Sequence, residues 1–244
     1  MADQDPYYAA AFAAHYDDWF PSYVTDSTVA LLADLAESAG AGPVLELGSG
    51  TGRIAIPLAR RGLDVHGIEG TPAMTDRLRS KPGGHAIPVT TGDFSHVPVD
   101  GEFALVYVVN GTFFELPTQE AQIRCFANTA ARLGPDGLFV LDAHVPEALA
   151  APEAAVASLP IPGGVTVRTR RINRATQQYT SHYLVHEGGT VHHVPVSFRY
   201  AATGELDLMA TMAGLRLRDR YGDWRGGAYT SASTYHVSVY ERPA

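Results

Sequence analysis

Three carboxylates and a run of glycines carry the first chemical signal in this chain. Glu46 stands in Glu46-Leu47-Gly48-Ser49-Gly50-Thr51-Gly52-Arg53, Glu69 closes the apolar run that starts at Val65, and Asp93 follows Gly92. Glycine at alternate positions lets a backbone turn sharply, visit positive φ and approach a ligand with no side chain in the way. A helix that begins there points its free N–H groups at the same place. A carboxylate about 20 residues further on, at the end of the next strand, can accept hydrogen bonds from both hydroxyls of a ribose. Glu69 has that spacing, so the pattern predicts a nucleoside seat.

Proton transfer is the second chemistry on offer. Histidine is the side chain best matched to it near neutral pH, and His144, after the apolar run 137–143, is the first candidate. His15 near the start of the chain is the second, and Glu115, after the apolar run 103–109, also qualifies by position. With ten histidines in the chain, residue type alone does not choose among them. His182, His186, His192, His193 and His236 stand in strand-like contexts, where an exposed or hydrogen-bonded histidine is ordinary. No His, Cys and Asp spacing fits a metal site, so no metal is expected.

Glycine-rich turns serve several ligands. A dinucleotide fingerprint counted from Gly48 requires glycine at position 53, where Arg53 stands. A P-loop ends in Gly-Lys-Ser or Gly-Lys-Thr, which the chain lacks. A nicotinamide cofactor and a cradled triphosphate are therefore disfavoured.

These residues must be positioned by alternating strands and helices. Residues 1–23 carry Tyr7, Tyr8, Phe12, His15, Tyr16, Trp19, Phe20 and Tyr23 at spacings near a helical stripe, with Pro21 as the break. An amphipathic helix over 27–39 follows, then a strand before the glycine turn, a helix over 53–61 and a strand over 64–69. A third strand is expected over 86–91, a central one over 103–109, a helix over 119–133 and a strand over 137–143. The run 103–109 is continuously apolar, as a parallel strand buried on both faces requires. Beyond Pro146 the alternation stops. Stretches 165–167, 178–185 and 190–200 alternate apolar and polar residues, an antiparallel signature. A final helix over 203–213 and strands over 215–219 and 234–241 complete the pattern.

The expected fold class is α/β: a doubly wound, Rossmann-like sheet of seven mostly parallel strands with an N-terminal helical lid and a small inserted antiparallel sheet. The chain reads as a single domain over 1–244, with a lid (1–40), a cofactor core (41–146), the insertion (147–202) and a closing helix with its strands (203–244).

At this point the chain resembles the class I S-adenosylmethionine-dependent methyltransferases, whose first motif has the form Glu-x-Gly-x-Gly-x-Gly. The resemblance implies S-adenosylmethionine as cofactor. It implies that Tyr16, in His15-Tyr16-Asp17-Asp18-Trp19, covers the methionine end, with Tyr23 as a second lid contact. Glu69-Gly70-Thr71-Pro72-Ala73-Met74 matches the family's run of acid, small residue, Ser or Thr, then Met, which lays Met74 against the adenine. Asp93 would accept from the exocyclic amine while the N–H of Phe94 reads the ring. The cofactor set is completed by Glu46, Gly48, Ser49, Gly50, Arg53, Gly70 and Asn110. Asn110-Gly111-Thr112 lies at the C-terminal edge of the central strand, where open α/β sheets bind ligands. Asn-Pro-Pro-Tyr, typical of members acting on nucleic-acid bases or protein amides, is absent.

The resemblance therefore implies methyl transfer to nitrogen, oxygen or carbon of a small-molecule acceptor of the secondary-metabolite kind, as in amino-sugar N-methyltransferases of antibiotic pathways. The alternative is a protein of the same fold whose bound sulfonium assists a rearrangement or cyclisation. The lid and the inserted sheet would enclose the acceptor, with Tyr183, Arg199, Tyr200, Trp224 and Tyr229 as pocket residues.

Composition limits the partners. A chain of 244 residues with 45% hydrophobic content supports one substantial core. A net charge of -8 argues against nucleic acid and anionic membrane. Arg168, Arg170, Arg171 and Arg174 cluster locally and read as a solvated strand face. The lone cysteine, Cys125, forms no internal disulfide and reads as a buried hydrophobe. No leader or membrane-length apolar run appears, so the protein reads as soluble and cytoplasmic, and nothing opposes a homodimer.

Overall fold

The computed structural model describes residues 6–20, 25–40, 42–150 and 156–243. Helices α1 (Pro6–Trp19) and α2 (Thr25–Ser38) precede strand β1 (Val44–Leu47). Then α3 (Ala55–Arg60), β2 (Val65–Glu69), α4 (Pro72–Ser80), β3 (Val89–Thr91), β4 (Phe103–Val108), α5 (Gln119–Ala130) and β5 (Leu133–His144) alternate. A seven-stranded sheet forms with order β10-β11-β5-β4-β1-β2-β3, where β10 is Arg216–Tyr221 and β11 is Tyr235–Glu241. Strands β1 to β5 run parallel, and β11 lies antiparallel between β5 and β10.

All six residues of β4 are buried, because helices cover both faces of the sheet. Leu105 and Tyr107 join the core under α2 and α3, whereas Val106 and Val108 join the core under α5 and α7 (Thr203–Met212). The period-two alternation of β4 thus divides the interior into two cores. Pro57 falls in the first turn of α3, where its missing N–H costs nothing.

After α6 (Pro146–Ala150), strands β6 (Val156–Ile161), β7 (Gly164–Asn173), β8 (Gln178–Glu187) and β9 (Thr190–Arg199) form a separate antiparallel sheet in that order. Trp19 of α1 packs against Ile161, Val185 and Val194 of this sheet, with Phe12, Phe20, Tyr183 and Val196 around them. The lid helix is therefore held between the inserted sheet and the main sheet. At the base of the insertion, buried Arg199 bonds Gln122 Oε1 at 2.6 Å and Glu205 Oε1 at 2.7 Å, and Gln122 Nε2 donates to Arg199 O at 2.8 Å.

Several boundaries differ from the sequence pattern. The helix after the glycine turn starts at Ala55 rather than 53, because the turn itself consumes two more residues. Strand β3 is confined to Val89–Thr91, since the 3-10 turn Gly84–Ala86 and Pro88 occupy the earlier part of the predicted run. Helix α5 stops at Ala130, and Leu133 already pairs with Phe103 as the start of β5. The insertion contains a further strand, β6, which lacks a clean alternation in sequence. Tyr23 and the side chains of Tyr7 and Tyr8 lie outside the described residues.

Candidate functional site

Strand β1 delivers the chain into a turn where Gly48, Gly50 and Gly52 have φ of +74°, +52° and +77°. The three are glycine for two different reasons. A Cβ at Gly48 would meet Thr112 Cγ2 at 2.9 Å, and one at Gly52 would meet Leu78 Cγ at 2.8 Å, so both are packed against protein. A Cβ at Gly50 meets nothing nearer than 4.0 Å, so the space above it is open to a ligand.

Glu69, the last residue of β2, braces this turn. Its Oε2 accepts from Gly50 N and its Oε1 from Thr71 N, both at 2.8 Å. Burial raises its carboxyl above the usual range, opposed by the N–H groups of Gly50, Thr71 and Gly70. Two backbone bonds leave further lone pairs on both oxygens, which is what a ribose diol requires. Glu46 lies deeper. Burial pushes its carboxyl up to about 8 against the Tyr107 hydroxyl and the Ala55 N–H, with Glu69 raising it further, and its Oε2 lacks a hydrogen-bond partner. Ser49 is also buried, its Oγ packed where a side chain on Gly67 would collide at 2.7 Å.

The lid is latched to this turn through Asp17 of the Tyr16-Asp17 element, with Thr51 and Lys81 as partners that no sequence motif singled out. Asp17 accepts from Thr51 Oγ1 at 2.8 Å and pairs with Lys81 Nζ at 2.6 Å, while Lys81 also donates to Thr51 O at 2.7 Å. Although burial opposes it, these donors hold the Asp17 carboxyl below its ordinary range. Arg53 lies over the Tyr16 ring at 5.1 Å and 3.5 Å from Asp17, with a buried Nη2 that has no hydrogen-bond partner. Burial pushes the Tyr16 hydroxyl up to about 12, with Arg53 opposing and Glu115 and Tyr183 adding to the rise. Tyr16 thus faces the glycine turn on one side and the inserted sheet on the other.

The remaining predicted contacts are distributed around the same edge. Met74 is buried in the first turn of α4, and the Phe94 ring lies 3.9 Å from the place of a Gly48 side chain. Asp93 spends Oδ1 on Ser95 N at 2.8 Å, capping the 3-10 turn Phe94–His96, and its Oδ2 is 3.4 Å from His96. Asn110 has φ +62°, held because Asp142 on β5 accepts from Asn110 N at 3.0 Å and Gly111 N at 2.7 Å. Asp142 also accepts from Trp224 Nε1 at 2.9 Å and from the Tyr235 hydroxyl. An isolated Asp inside an apolar run was the available signal for this hub. It places Trp224 in the support of the turn, and Arg199 belongs to the clamp described above.

The two histidines separate. His15 stacks on Trp19 at 5.0 Å and lies 3.8 Å from Glu187 at the end of β8, so its contacts face the insertion. His144 is the last residue of β5, with Nδ1 3.4 Å from Thr234 O and its ring 5.3 Å from that of Tyr235. Burial lowers its pKa, and Arg170 and Arg168 lower it further. Proximity to those arginines corrects the reading of 168–171 as a solvated face. On β7, Arg168 and Arg170 point inward with buried Nε atoms, while Arg171 is exposed. Strand alternation is the physical reason.

Glu115 ends the 3-10 turn Thr112–Glu115, where Phe113 and Phe114 are buried and Glu115 itself is exposed to solvent. Burial pushes its carboxyl up to about 7, with Glu69 adding to the rise. Its field also reaches Tyr16 and Tyr179. Electrostatic reach thus links the glycine turn, Glu115 and Tyr16 with the inner face of the inserted sheet, and this region is the candidate acceptor cleft.

Open space at Gly50, free lone pairs on Glu69 and an unused donor on Arg53 fit an adenosyl ligand with a charged amino-acid tail. A methyltransferase-domain family model matches residues 44–137. Over 203 residues the chain is 32% identical to the cypemycin N-terminal methyltransferase of a Streptomyces species, covering 82% of each chain. It superposes on the CcbJ methyltransferase of Streptomyces caelestis with a TM-score of 0.85 and 34% identity, over 99% of this chain and 100% of that one. The fold is shared with S-adenosylmethionine-bound CalS10, an amino pentose methyltransferase from Micromonospora echinaspora, at a TM-score of 0.69 and 21% identity over 100% and 99% of the two chains. With motif, geometry and relatives in agreement, the chain belongs to the class I S-adenosylmethionine-dependent methyltransferases.

Proposed function

We propose that this enzyme methylates an amine nitrogen of a small natural-product acceptor, held between the lid and the inserted sheet, with Glu115 receiving the proton that the nitrogen sheds. The observation that carries this reading is the Glu115 carboxyl, at the end of the turn that follows β4, raised to about 7 and within electrostatic reach of Glu69 and Tyr16. The relatives add support: one is an N-terminal methyltransferase and another acts on an amino pentose.

Glu69, Gly50, Tyr16 and Arg53 would hold the cofactor, with Met74, Asp93, Phe94 and Asn110 around it. Bound there, S-adenosylmethionine supplies a methyl group on a sulfonium that is already a good leaving group. The protein's task is then to position the nucleophile and manage its proton. A carboxyl raised toward neutrality accepts a proton more readily than an ordinary one and, being open to solvent, releases it afterwards. Tyr16, Tyr179 and Tyr183 wall the cleft and exclude water. His144, whose pKa is lowered by desolvation and by Arg170 and Arg168, is a second proton acceptor at the end of β5.

Labelled methyl transfer from the cofactor to a panel of small amines tests this. Turnover should rise with pH through about 7 as Glu115 ionises. Glu115→Gln should lower turnover about 100-fold and remove that rise. An unchanged rate and pH profile in the variant would exclude Glu115 from the chemistry. Cofactor binding without any methylated amine would favour the rearrangement alternative.

A further inference from the structure

We propose that Arg168 and Arg170 form an oxyanion site for a carboxylate or phosphate carried by the acceptor, on the β5 side of the cleft; this rests on the reading of that cleft as the acceptor pocket. The two residues alternate on β7, so their side chains leave the same face about 6.6 Å apart. They stand opposite Tyr183 and Ser181 of β8. That inner face also carries buried Thr166, Val185 and Tyr179, so the arginines point into the molecule.

Each arginine has a buried Nε without a hydrogen-bond partner. Among the described residues, neither is ion-paired with a carboxylate, although Arg53, Arg132, Arg199, Arg216, Arg218 and Arg220 all are. In a chain with 26 acidic and 18 basic residues, carboxylates are abundant, yet two neighbouring guanidiniums have been left to each other. Like charges brought together at a half-buried wall repel, and they are relieved by an anion between them. Burial and Arg168 accordingly lower the pKa of Arg170.

Arg170 is oriented without consuming its charge. Its guanidinium lies over the Tyr179 ring at 5.1 Å, and Nη1 is 3.4 Å from Leu149 O. A planar guanidinium fork matches the two oxygens of a carboxylate or phosphate. The pair lowers the pKa of nearby His144, so the histidine is disfavoured as a third cation there. The acceptor would therefore carry an acidic group at one end and the nucleophilic nitrogen near Glu115.

The test is calorimetric titration of the protein saturated with S-adenosylhomocysteine, using inorganic phosphate and, separately, acetate at constant ionic strength against a chloride reference. The native protein should bind at least one of them saturably. Arg168→Gln and Arg170→Gln should each weaken that binding about tenfold or more, with Arg170→Lys retaining part of it. Tighter phosphate indicates a phosphorylated acceptor, and tighter acetate a carboxylic acid. Cofactor affinity serves as the folding control, and the charge-keeping lysine variant replaces any glutamine variant that fails it. Binding no better than chloride, or equal in native and variant proteins, overturns the proposal. No methyl transfer is needed, so a failed titration leaves the amine reading intact, and a failed amine assay leaves this result standing.

Discussion

Glu69 illustrates how one side chain can serve the fold and the ligand together. Its carboxylate ties β2 to the glycine turn through Gly50 N and fixes the start of α4 through Thr71 N. Each bond satisfies a backbone donor that would otherwise be stranded near a buried surface. Under the proposed cofactor placement, removal acts twice, on ribose contacts and on the shape of the seat. Glu69→Ala is expected to weaken S-adenosylhomocysteine binding by roughly 1–3 kcal/mol, a loss of about 5- to 150-fold, measured by calorimetry. Unchanged affinity would mean that the ribose is held elsewhere.

At the scale of an element, the question is what keeps α1 closed over the turn. Its aromatic residues pack on the inserted sheet, and its polar attachment to the core is the Asp17, Thr51 and Lys81 cluster. Asp17 has a depressed pKa, so its contribution is present above the ordinary carboxylate range and is lost as pH falls through the folded value. Asp17→Ala should leave the sheet intact but speed hydrogen exchange across Pro6–Trp19, with about 1 kcal/mol less protection after allowing for partial exposure. Acidification of the native protein should loosen the same helix. Exchange identical in the variant would show that the aromatic contacts alone hold the lid.

The whole molecule depends on joining two sheets that share no strand. Buried Arg199, paired with part-exposed Glu205 and bonded to Gln122 and Gln177, anchors the end of β9 to α5 and α7. Removing the arginine leaves the buried Gln122 Oε1 unsatisfied and the Glu205 carboxylate without its cation, which together cost about 3 kcal/mol. Arg199→Ala should therefore lower the melting temperature by roughly 6–12 °C for a chain of this size. Salt should change little in the native protein, because buried pairs are weakly screened. Calorimetric unfolding at two ionic strengths checks both statements, and a shift under 2 °C would deny the clamp its role.

The sheet and a nucleoside seat were legible in the sequence from local rules: positive φ at alternating glycines, apolar runs of strand length, and a carboxylate one strand beyond the turn. The family and its cofactor came from the resemblance carried by the Glu46 to Gly52 motif. Strand β4 was legible because burial on both faces leaves no room for polar residues. The tertiary structure alone decided which distant groups meet. Asp17 and Lys81 are far apart in sequence and become neighbours only when α1 packs beside α4, and Asp142 acquires its partners from the loops after β4 and β10 and from Tyr235 of β11. His15 and Tyr16 are adjacent in sequence, but Tyr16 reaches Arg53 of the glycine turn while His15 meets Trp19 and Glu187, since a helix turns about 100° per residue. Strand pairing likewise turned Arg168 and Arg170 inward and left Arg171 in solvent, a distinction that composition cannot make because it depends on which face of β7 is covered.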